Sequence, residues 1–439
     1  METERILNKL GVVELNAMQD ETIHAFRHSD KDLILLSPTG SGKTLAYLLP
    51  LAEAVDASSE NVQALVVVPG RELALQAATV LNTMQCGVKA LAVYGGRPAM
   101  DEHRMLREVK PQIVFGTPGR LNDHLHKGNI SSLGIIYLFI DEFDKCLEMG
   151  FRGEMKKLAH ALPNVRRRML ISATDAPEIP DFISLGRSRI INCLDSEEQI
   201  PERVTVNVVR SPEKDKLKTL DRLLRCLGEK SSLVFVNHRE SVERVAFFLR
   251  GQGFILSSFH GGLDQKERES ELYKFINGSA NVMVSTDLAS RGLDIPDIAN
   301  IIHYHLPESE DSYVHRVGRT ARWDKTGNAF FIVAPGEQVP DYVEAELSDY
   351  VPEVGSKPVP KPLMATLYIG KGKKDKISRH DLVGFLCKQG GLDGSDIGRI
   401  DVKERFCYAA VNRSKIASLV GRVRNVQIKG VRTIIEVVR

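Results

Sequence analysis

The sequence predicts two successive α/β domains, each built around a parallel β-sheet, followed by a small α+β domain. Short apolar runs alternate with helix-length segments up to about residue 195, the rhythm of a parallel sheet with crossover helices. A charged, proline-containing stretch at 195–203 interrupts this rhythm, which then restarts. A proline-rich stretch at 351–363 precedes a basic region with a different order of elements. The predicted boundaries are 1–198, 199–350, a linker at 351–363, and 364–439.

The strands are predicted from short, β-rich apolar runs. In the first domain these runs lie at 33–36, 64–68, 112–115, 137–140 and 169–171. In the second they lie at 233–236, 254–259, 282–285, 300–304 and 329–333. The last region has strand patterns at 366–369, 399–402, 405–411 and 433–438, and helical patterns at 380–389 and 415–423. Parallel sheets bind ligands at the carboxyl ends of their strands, so functional residues are expected directly after them.

A glycine-rich turn follows the first predicted strand and has the pattern of a phosphate-binding loop. Backbone N–H groups of such a turn and the N-terminus of the next helix face the same point. Lys43 is expected to reach the β- and γ-phosphates of a nucleotide, and the Thr44 hydroxyl to ligate Mg2+. A chance glycine turn is the alternative, and the flanking strand and helix argue against it. The predicted nucleotide-binding residues are Ser37, Pro38, Thr39, Gly40, Ser41, Gly42, Lys43 and Thr44.

An acidic pair follows the predicted strand at 137–140. Asp141 is expected to hold Mg2+, directly or through water, and Glu142 to orient and deprotonate the attacking water. A solvated acidic turn is the alternative. The apolar strand before the pair favours the catalytic interpretation, because a buried strand delivers both carboxylates to the nucleotide crevice. The predicted cofactors are therefore ATP and Mg2+.

The second domain lacks a phosphate-binding loop but contains a dense group of arginines at 315–322. Arginines this dense usually lie on a solvated surface. A nucleotide loop in one domain and an arginine array in the other instead indicate a division of labour, in which the second domain supplies arginine fingers to ATP held by the first.

The charge of the chain is unevenly distributed. The net charge is +2, but residues 365–439 contain 16 Lys and Arg against 7 Asp and Glu, so that the remainder is acidic. A basic domain on an acidic body favours a polyanionic partner, although a solvated basic surface would look the same.

Cysteine spacing and apolar run length exclude several classes of protein. The six cysteines lie far apart with no Cys-x-x-Cys pair, which fits neither a zinc site nor a disulfide framework. The first residues lack the pattern of a signal peptide, and no apolar run approaches membrane-spanning length. We expect a cytoplasmic, monomeric protein that makes no contact with a membrane.

Residues 1–350 resemble the core of the DEAD-box RNA helicases of superfamily 2, which consists of two RecA-like domains. The resemblance depends on short motifs that occur in the family's order over some 300 residues. Besides the phosphate loop, they are Pro-Gly-Arg-Glu-Leu-Ala at 69–74, Gly-Gly at 95–96, Thr-Pro-Gly-Arg at 117–120, Asp-Glu-Phe-Asp at 141–144, Ser-Ala-Thr at 172–174, His-Gly at 260–261 leading to Gln265 and Arg268, Ser-Thr-Asp at 285–287, Arg-Gly-Leu-Asp at 291–294, and the arginine group at 315–322.

The resemblance implies a role for individual residues. Lys43, Asp141, Glu142, Arg319 and Arg322 would be catalytic, with Thr44 and Asp141 at the metal. Gln19 would recognise adenine and Asp294 would approach the ribose. The RNA backbone would follow Arg71, Gly96, Thr117, Gly119, Arg120, Arg268 and Thr286, and Asp144, Ser172, Thr174 and His315 would couple the two activities.

The chain departs from the family pattern at four places. Phe143 replaces an alanine, Gly70 a threonine and Ala321 a glycine, and Leu15-Asn16 stands where the adenine motif usually has Pro-Thr. Phe143 is the motivation for one alternative, a non-catalytic RNA clamp. The other alternative is a DNA helicase or translocase of the same superfamily, which ATPase stimulation by matched RNA and DNA would distinguish.

The last region, notably 391–402, resembles the RNA-binding domain of bacterial DbpA-type helicases, which has an RRM-like fold. That resemblance implies structured ribosomal RNA as the partner, and a role in ribosome biogenesis during large-subunit assembly. Phe406 and Tyr408 offer stacking faces for bases, or are one core and one surface residue of a strand. Basic side chains and loops are the favoured RNA surface. The predicted function is an ATP-dependent RNA helicase that locally unwinds or remodels structured RNA.

Overall fold

The computed structural model describes residues 3–38, 40–96, 99–174, 179–194, 204–287, 295, 298–320, 326–353, 357–424 and 426–438. The chain divides into two compact units. One contains the first sheet, and the other contains the second sheet together with the C-terminal domain. Both large sheets are parallel and the small one is antiparallel, which confirms the predicted fold class.

The first unit is a seven-stranded parallel sheet with helices on both faces, in the order β3-β4-β2-β5-β6-β1-β7. Its strands are β1 Asp32–Leu36, β2 Ala64–Val67, β3 Ala90–Val93, β4 Ile113–Gly116, β5 Tyr137–Ile140, β6 Arg167–Ser172 and β7 Ser188–Asn192. Its helices are α1 Thr3–Leu10, α2 Ala17–Arg27, α3 Lys43–Ala54, α4 Arg71–Met84, α5 Ala99–Val109, α6 Pro118–His126, α7 Phe143–Glu148 and α8 Arg152–His160.

The central strands of this sheet are buried on both faces. Along β1, Leu33 and Leu35 point into the core on one face, while Ile34 and Leu36 belong to the core on the other. A strand covered on both faces is apolar throughout, so β1, β2, β4, β5 and β6 were predictable. Two strands were not predicted: β3 is short and alanine-rich, and the edge strand β7 leaves most of its side chains exposed.

The second unit begins with another seven-stranded parallel sheet, in the order β10-β11-β9-β12-β13-β8-β14. Its strands are β8 Val204–Arg210, β9 Ser232–Phe235, β10 Leu256–Phe259, β11 Val282–Ser285, β12 Asn300–His303, β13 Gly327–Val333 and β14 Leu347–Asp349. Its helices are α9 Leu217–Leu227, α10 Arg239–Gly251, α11 Gln265–Ile276 and α12 Glu310–Val317. The unpredicted strands are β8, whose apolar run is interrupted by Asn207, and β14, which has three exposed residues.

The C-terminal domain is a four-stranded antiparallel sheet in the order β16-β17-β15-β18, with two helices packed on one face. The strands are β15 Met364–Ile369, β16 Ile397–Val402, β17 Cys407–Asn412 and β18 Ile435–Val437, and the helices are α13 Arg379–Lys388 and α14 Ile416–Val423. All six predicted elements are present. Its hydrophobic core is separate from that of the preceding sheet.

The other face of this small sheet packs against α11. The ring of Tyr273, on α11, stacks on Tyr408 with a centroid distance of 4.7 Å, and Tyr408 is only 4% exposed. The Tyr273 hydroxyl donates a hydrogen bond to the carbonyl of Arg399, 3.0 Å away. Asn277 Nδ2 donates to Thr366 Oγ1 at 2.8 Å, which ties the end of α11 to β15. Aromatic stacking and satisfied buried polar groups together fix the domain in one orientation on the second sheet domain.

The proline-rich segment between these domains is also held. Arg225 on α9 donates to the carbonyl of Lys357, and Val359 packs against the core of the second sheet domain. Arg413 in the C-terminal domain donates to the carbonyl of Pro362 at 2.7 Å. None of the helices in the described part of the chain is long and apolar enough to cross a membrane.

Candidate nucleotide and RNA site

The glycine-rich turn leads from β1 directly into α3, as the sequence indicates. Gly40 and Gly42 have φ angles of 90° and 87°, the left-handed region that glycine adopts without strain. The Lys43 ammonium donates to the carbonyls of Ser37 and Pro38, at 2.5 and 2.7 Å, and so lies across the turn. Thr44 follows in the first turn of α3, close to the positive end of the helix dipole.

The residues of the adenine motif contact the glycine-rich turn. Gln19 Nε2 donates to the carbonyl of Gly42 at 3.1 Å, and Asn16 Nδ2 donates to the carbonyl of Ser41 at 2.9 Å. Asn16 also begins α2 with a capping box, in which its side chain accepts from the Gln19 N–H and the Gln19 side chain accepts from the Asn16 N–H. Asn16, one of the residues that differ from the family pattern, therefore caps α2 and also contacts the glycine-rich turn.

Asp141 extends from the end of β5 into a buried environment beside α3. Its side chain accepts hydrogen bonds from the Tyr47 hydroxyl at 3.0 Å and from the Glu142 N–H at 2.9 Å. Burial raises the pKa of Asp141, and the positive charge of Lys43 opposes this rise. The sequence did not indicate Tyr47, a fully buried phenol among apolar residues of α3, although a hydroxyl at such a position needs a partner.

Glu142 has a left-handed backbone conformation, with φ 48°. This conformation is uncommon outside glycine, and strained residues cluster at functional sites. Phe143 begins α7 and is completely buried in the core beneath the sheet. The phenyl ring therefore occupies the hydrophobic core and leaves the two carboxylates at the end of the strand.

A third carboxylate connects this loop to the strand β6. Asp144 is 2% exposed, burial raises its pKa, and it accepts a hydrogen bond from Thr174 Oγ1 at 3.2 Å. The Ser172 hydroxyl donates in turn to the carbonyl of Thr174 at 2.8 Å. The structure thus brings together three of the four residues expected to couple hydrolysis to RNA.

The residues expected along the RNA path of the first unit also lie close together. The guanidinium of Arg71 lies against Gly95 and Gly96, so closely that a Cβ atom at Gly96 would overlap Arg71 Nη1. Gly96 also has a φ of 92°, which strains any other residue. Thr117 is the N-cap of α6, and Gly119 lies in the first turn of that helix.

One buried carboxylate, Glu102, organises this surface. It accepts from the backbone N–H of Tyr94 at 3.0 Å, just before Gly95, and pairs with Arg120 Nε at 2.7 Å. His124 Nε2 lies 2.9 Å from the same carboxylate, and its Nδ1 lies 3.0 Å from the amide of Asn129. Glu102 is 2% exposed and was not predicted from the sequence, because its partners lie on two other parts of the chain, the residue after β3 and the helix α6.

In the second unit, Arg268 on α11 is largely buried and donates to the carbonyl of Gly261 at 2.6 Å. Thr286 follows β11 and is partly exposed. The next residue, Asp287, forms a bidentate pair with the fully buried Arg316, at 2.5 and 3.1 Å. Arg316 therefore connects two motifs, a structural role that its place in the arginine group did not indicate.

His315 and Arg319 are both buried, at 3% and 2% exposure, at the end of α12 and just after it. Three predicted site residues, Thr39, Asp294 and Arg322, lie outside the described residues, so their expected roles stay predictions.

A phosphate loop and an acidic pair at strand ends of one parallel sheet, followed by a second parallel-sheet domain with an arginine group, are typical of the enzymes that hydrolyse nucleotides with two tandem α/β domains. Family models agree with this class. They match the DEAD/DEAH box helicase domain at residues 16–182, the helicase conserved C-terminal domain at 215–324, and the DbpA RNA binding domain at 366–437.

Two named bacterial helicases are similar to this protein over nearly the whole chain. The ATP-dependent RNA helicase DbpA of Escherichia coli (strain K12) is 35% identical over 97% of this chain and 94% of its own length. The protein of the same name in Bacillus subtilis (strain 168) is 31% identical over 97% of this chain and 95% of its own. The chain belongs to the DEAD-box family of ATP-dependent RNA helicases and carries the C-terminal domain of the DbpA type.

Solved structures support the fold. S. cerevisiae Dbp5 bound to RNA and ADP BeF3 matches with a TM-score of 0.70 and 21% identity, over 79% of this chain and 93% of that one. The DEAD-box helicase Mss116 bound to ssRNA and UDP-BeF matches with a TM-score of 0.69 and 24% identity, over 80% and 78%.

Proposed function

We propose that this enzyme uses ATP and Mg2+ to remodel structured RNA locally, and that its target is ribosomal RNA during large-subunit assembly. The observation that carries the proposal is the arrangement of the first unit. The phosphate loop, the acidic pair and the Arg71–Arg120 surface all follow carboxyl ends of strands in one sheet. ATP and one part of the RNA path would therefore lie at the same edge of this sheet.

The residues around the phosphate loop fit a nucleotide with a divalent cation. The turn contributes backbone N–H groups at the start of a twelve-residue helix, and Lys43 already lies across its mouth. Asp141 is a buried carboxylate at a strand end, and a cation beside it would favour its charged form. Thr44 and Asp141 would hold Mg2+, which supplies charge neutralisation at the transferred phosphoryl group.

The remaining residues of the chain would orient the reaction. Glu142 would hold the attacking water and accept its proton, while Tyr47 fixes the rotamer of its neighbour Asp141. Gln19 would recognise the base. Its hydrogen bond to the Gly42 carbonyl would connect the base-binding position to the glycine-rich turn. The hydrogen bond between Asp144 and Thr174 would link the acidic loop to the strand β6 and so to the RNA-binding surface.

RNA would be held through its backbone. Arg71, Arg120 and Arg268 supply guanidinium groups, and Gly96, Thr117, Gly119 and Thr286 would supply small side chains and backbone N–H groups. Phosphate contacts position a strand but do not distinguish bases, so the two sheet domains should bind RNA without sequence preference.

Glu102 is expected to position Arg120 for this contact. Glu102→Leu removes the carboxylate that holds the Arg120 guanidinium, and it should raise the RNA concentration for half-maximal ATPase by roughly threefold to tenfold. The turnover number at saturating RNA and the KM for ATP should change little. Glu102→Gln keeps one acceptor oxygen and should fall between Leu and the unchanged protein.

The control is Asp101→Asn, which alters an exposed carboxylate on the same helix that pairs with Arg104. Arg120→Ala should raise half-saturating RNA by at least as much as Glu102→Leu, and the double variant should match Arg120→Ala alone. If Arg120→Ala raises it and Glu102→Leu does not, Glu102 has no positioning role. Melting temperatures would identify a variant that fails to fold.

The C-terminal domain is proposed to choose the RNA. Truncation after Pro360 should leave maximal ATPase at saturating homopolymer almost intact, because the core of the second sheet domain does not include the residues removed. It should abolish the preference for large-subunit ribosomal RNA over homopolymer at limiting RNA. The measurement is half-saturating RNA for ATPase with each RNA, for the full-length and the truncated protein.

Equal selectivity in the two proteins would contradict this role and favour protein docking by the domain. Stimulation of both proteins by a matched DNA as strongly as by RNA would contradict the RNA assignment itself.

A further inference from the structure

Helix α11 covers part of the outer face of the small sheet, while Tyr368 and Phe406 on the same face stay partly exposed. Domains of this shape commonly stack bases on aromatic side chains of the central strands. Here the most central of these, Tyr408, is 4% exposed beneath Tyr273 of α11. Thr366 on the neighbouring strand is also buried, and its hydroxyl forms hydrogen bonds with the side chains of Asn277 and Ser279. Tyr408 is therefore unavailable for stacking with a base, and contacts to RNA phosphates need charged side chains outside this covered area.

Several basic side chains of the domain already have partners within the protein. Arg413 donates to the carbonyls of Pro362, Ser279 and Met364, so it serves the packing of the domain. Others are paired with carboxylates: Lys371 with Asp375 at 3.1 Å, Arg399 with Asp401 at 3.4 Å, Lys415 with Asp396 at 2.6 Å, and Lys429 with Asp381 at 3.0 Å. Their contribution to an external anion site is reduced accordingly.

Basic side chains without such partners lie close together on two loops at one end of the sheet. The loop at 371–376 follows β15, and the turn at 403–406 joins β16 to β17. The Lys373 N–H donates to the Lys403 carbonyl and the Lys374 N–H to the Glu404 carbonyl, both at 2.9 Å. These bonds hold the loops side by side, and we call the pair the two-loop surface.

The closeness of the loops depends on Gly372. A Cβ atom there would overlap the Lys403 carbonyl oxygen and lie 2.8 Å from the Arg405 nitrogen. Its φ is ordinary for any residue, so only space requires glycine at this position. The Cys407 thiol adds a contact, 3.0 Å from the carbonyl of Lys371.

Five side chains of the two-loop surface are exposed cations: Lys373, Lys374, Lys376, Lys403 and Arg405. Across the ranges that the structure describes, none of the five has an ion pair with a carboxylate. The acidic residues of the two loops are Asp375, which pairs with Lys371, and Glu404, so the surface keeps a net positive charge. Because hydrogen bonds between the loops fix the backbone, little order is lost when an anion binds.

We propose that the two-loop surface is where the C-terminal domain binds the phosphodiester backbone of RNA. This inference rests on the proposed function and adds the location of the contact. Lys373 and Lys374 on one loop and Lys403 and Arg405 on the other would contact consecutive phosphates of the RNA. The hydrogen bonds between the loops hold these four side chains close together. Arg405 can grip one phosphate through two N–H groups, and the lysines act as point charges.

The test uses the full chain with the substitutions Lys403→Gln and Arg405→Gln together. Half-saturating large-subunit ribosomal RNA for ATPase should rise roughly tenfold at about 100 mM salt. The dependence of the logarithm of affinity on the logarithm of salt concentration should become shallower by about 1.4, since each single-stranded phosphate contributes about 0.7. Turnover at saturating homopolymer should stay unchanged.

The matched control is Lys388→Gln with Arg424→Gln, which removes two exposed cations from helix ends of the same domain. A change of less than about twofold is expected there, because diffuse surface charge is screened. If the two pairs of substitutions have equal effects, the two-loop surface is not the site. If truncation after Pro360 also leaves selectivity intact, the proposed function of the whole domain fails instead.

A second variant tests the geometry without changing charge. Gly372→Ala should separate the two loops and raise half-saturating ribosomal RNA at least threefold, with a smaller change in salt dependence than the double glutamine variant shows. Its melting temperature, and its turnover at saturating homopolymer, report whether the domain still folds. A folded Gly372→Ala variant with unchanged RNA affinity would overturn the claim that both loops bind together.

Discussion

Glutamine in place of Glu142 should lower ATP turnover by about 10²–10⁴-fold, the usual contribution of a positioned general base. Glutamine has nearly the same shape, so the left-handed backbone at this position and the packing of Phe143 should persist. The amide cannot accept the proton of the attacking water. Binding of ATP and RNA should therefore be retained, and the variant should accumulate as a stalled complex on RNA.

The measurement is steady-state turnover with saturating RNA, together with equilibrium binding of a fluorescent ATP analogue. Glu148→Gln is the matched control, since it makes the same change at the other end of α7, where Glu148 pairs with Lys145 at 2.7 Å. Normal turnover in the Glu142 variant would show that another residue is the base. A parallel loss of nucleotide binding would show that Glu142 contributes to the ground state.

Most of both parallel sheets was predictable because their central strands are buried on both faces. Such strands are short, apolar and β-branched, and nine of the ten strands located from the sequence are of this kind, the tenth being the edge strand β10. Three of the four strands that were missed lack this property, and the apolar run of the fourth, β8, is interrupted by Asn207. The side chains of β7 and β14 are largely exposed at sheet edges, and β3 is mainly alanine, which has little preference for strands.

The positions of the phosphate loop and the acidic pair were predictable for a related reason. Each of these two segments follows a strand directly, so the local sequence indicates where it lies in the sheet. Tyr47 and Glu102 could not be found in this way. Tyr47 lies 94 residues from Asp141, and Glu102 contacts side chains on other elements, so only the tertiary fold brings these groups together.

The structure also accounts for two departures from the family pattern. The Phe143 ring is buried in the core below the sheet, so it does not occupy space beside the carboxylates. Asn16 caps α2 and donates to the Ser41 carbonyl, so the adenine motif remains attached to the phosphate loop. Neither feature favours a non-catalytic clamp.

The orientation of the C-terminal domain on the second sheet domain could not be predicted from the sequence. The prolines at 352, 358, 360 and 362 predicted a stiff spacer, which leaves orientation undefined. The stacking of Tyr273 on Tyr408 defines it: the sequence indicated Tyr408 only as a stacking face for bases or as a strand residue, and it did not indicate Tyr273 as a partner. Since Tyr273 lies on the same helix as Arg268, RNA captured by the domain would be held at a fixed distance from Arg268, the residue of α11 that we propose contacts the RNA backbone.

Alanine in place of Arg322 should reduce ATP turnover by about 10³-fold or more, with a much smaller change in ATP affinity. The expectation comes from the arginine motif, in which a finger supplied by the second domain stabilises charge that develops only in the transition state. Such an interaction affects turnover and leaves ground-state binding nearly unchanged. Arg322→Lys should recover little of the lost rate, because an ammonium group cannot reproduce the planar fork of a guanidinium.

The control is Arg222→Ala, which removes an exposed arginine of α9 and should leave ATP turnover and ATP affinity unchanged. If Arg322→Ala raised only the KM for ATP, Arg322 would bind the ground state, and Arg319 would remain as the finger to be tested by the same comparison.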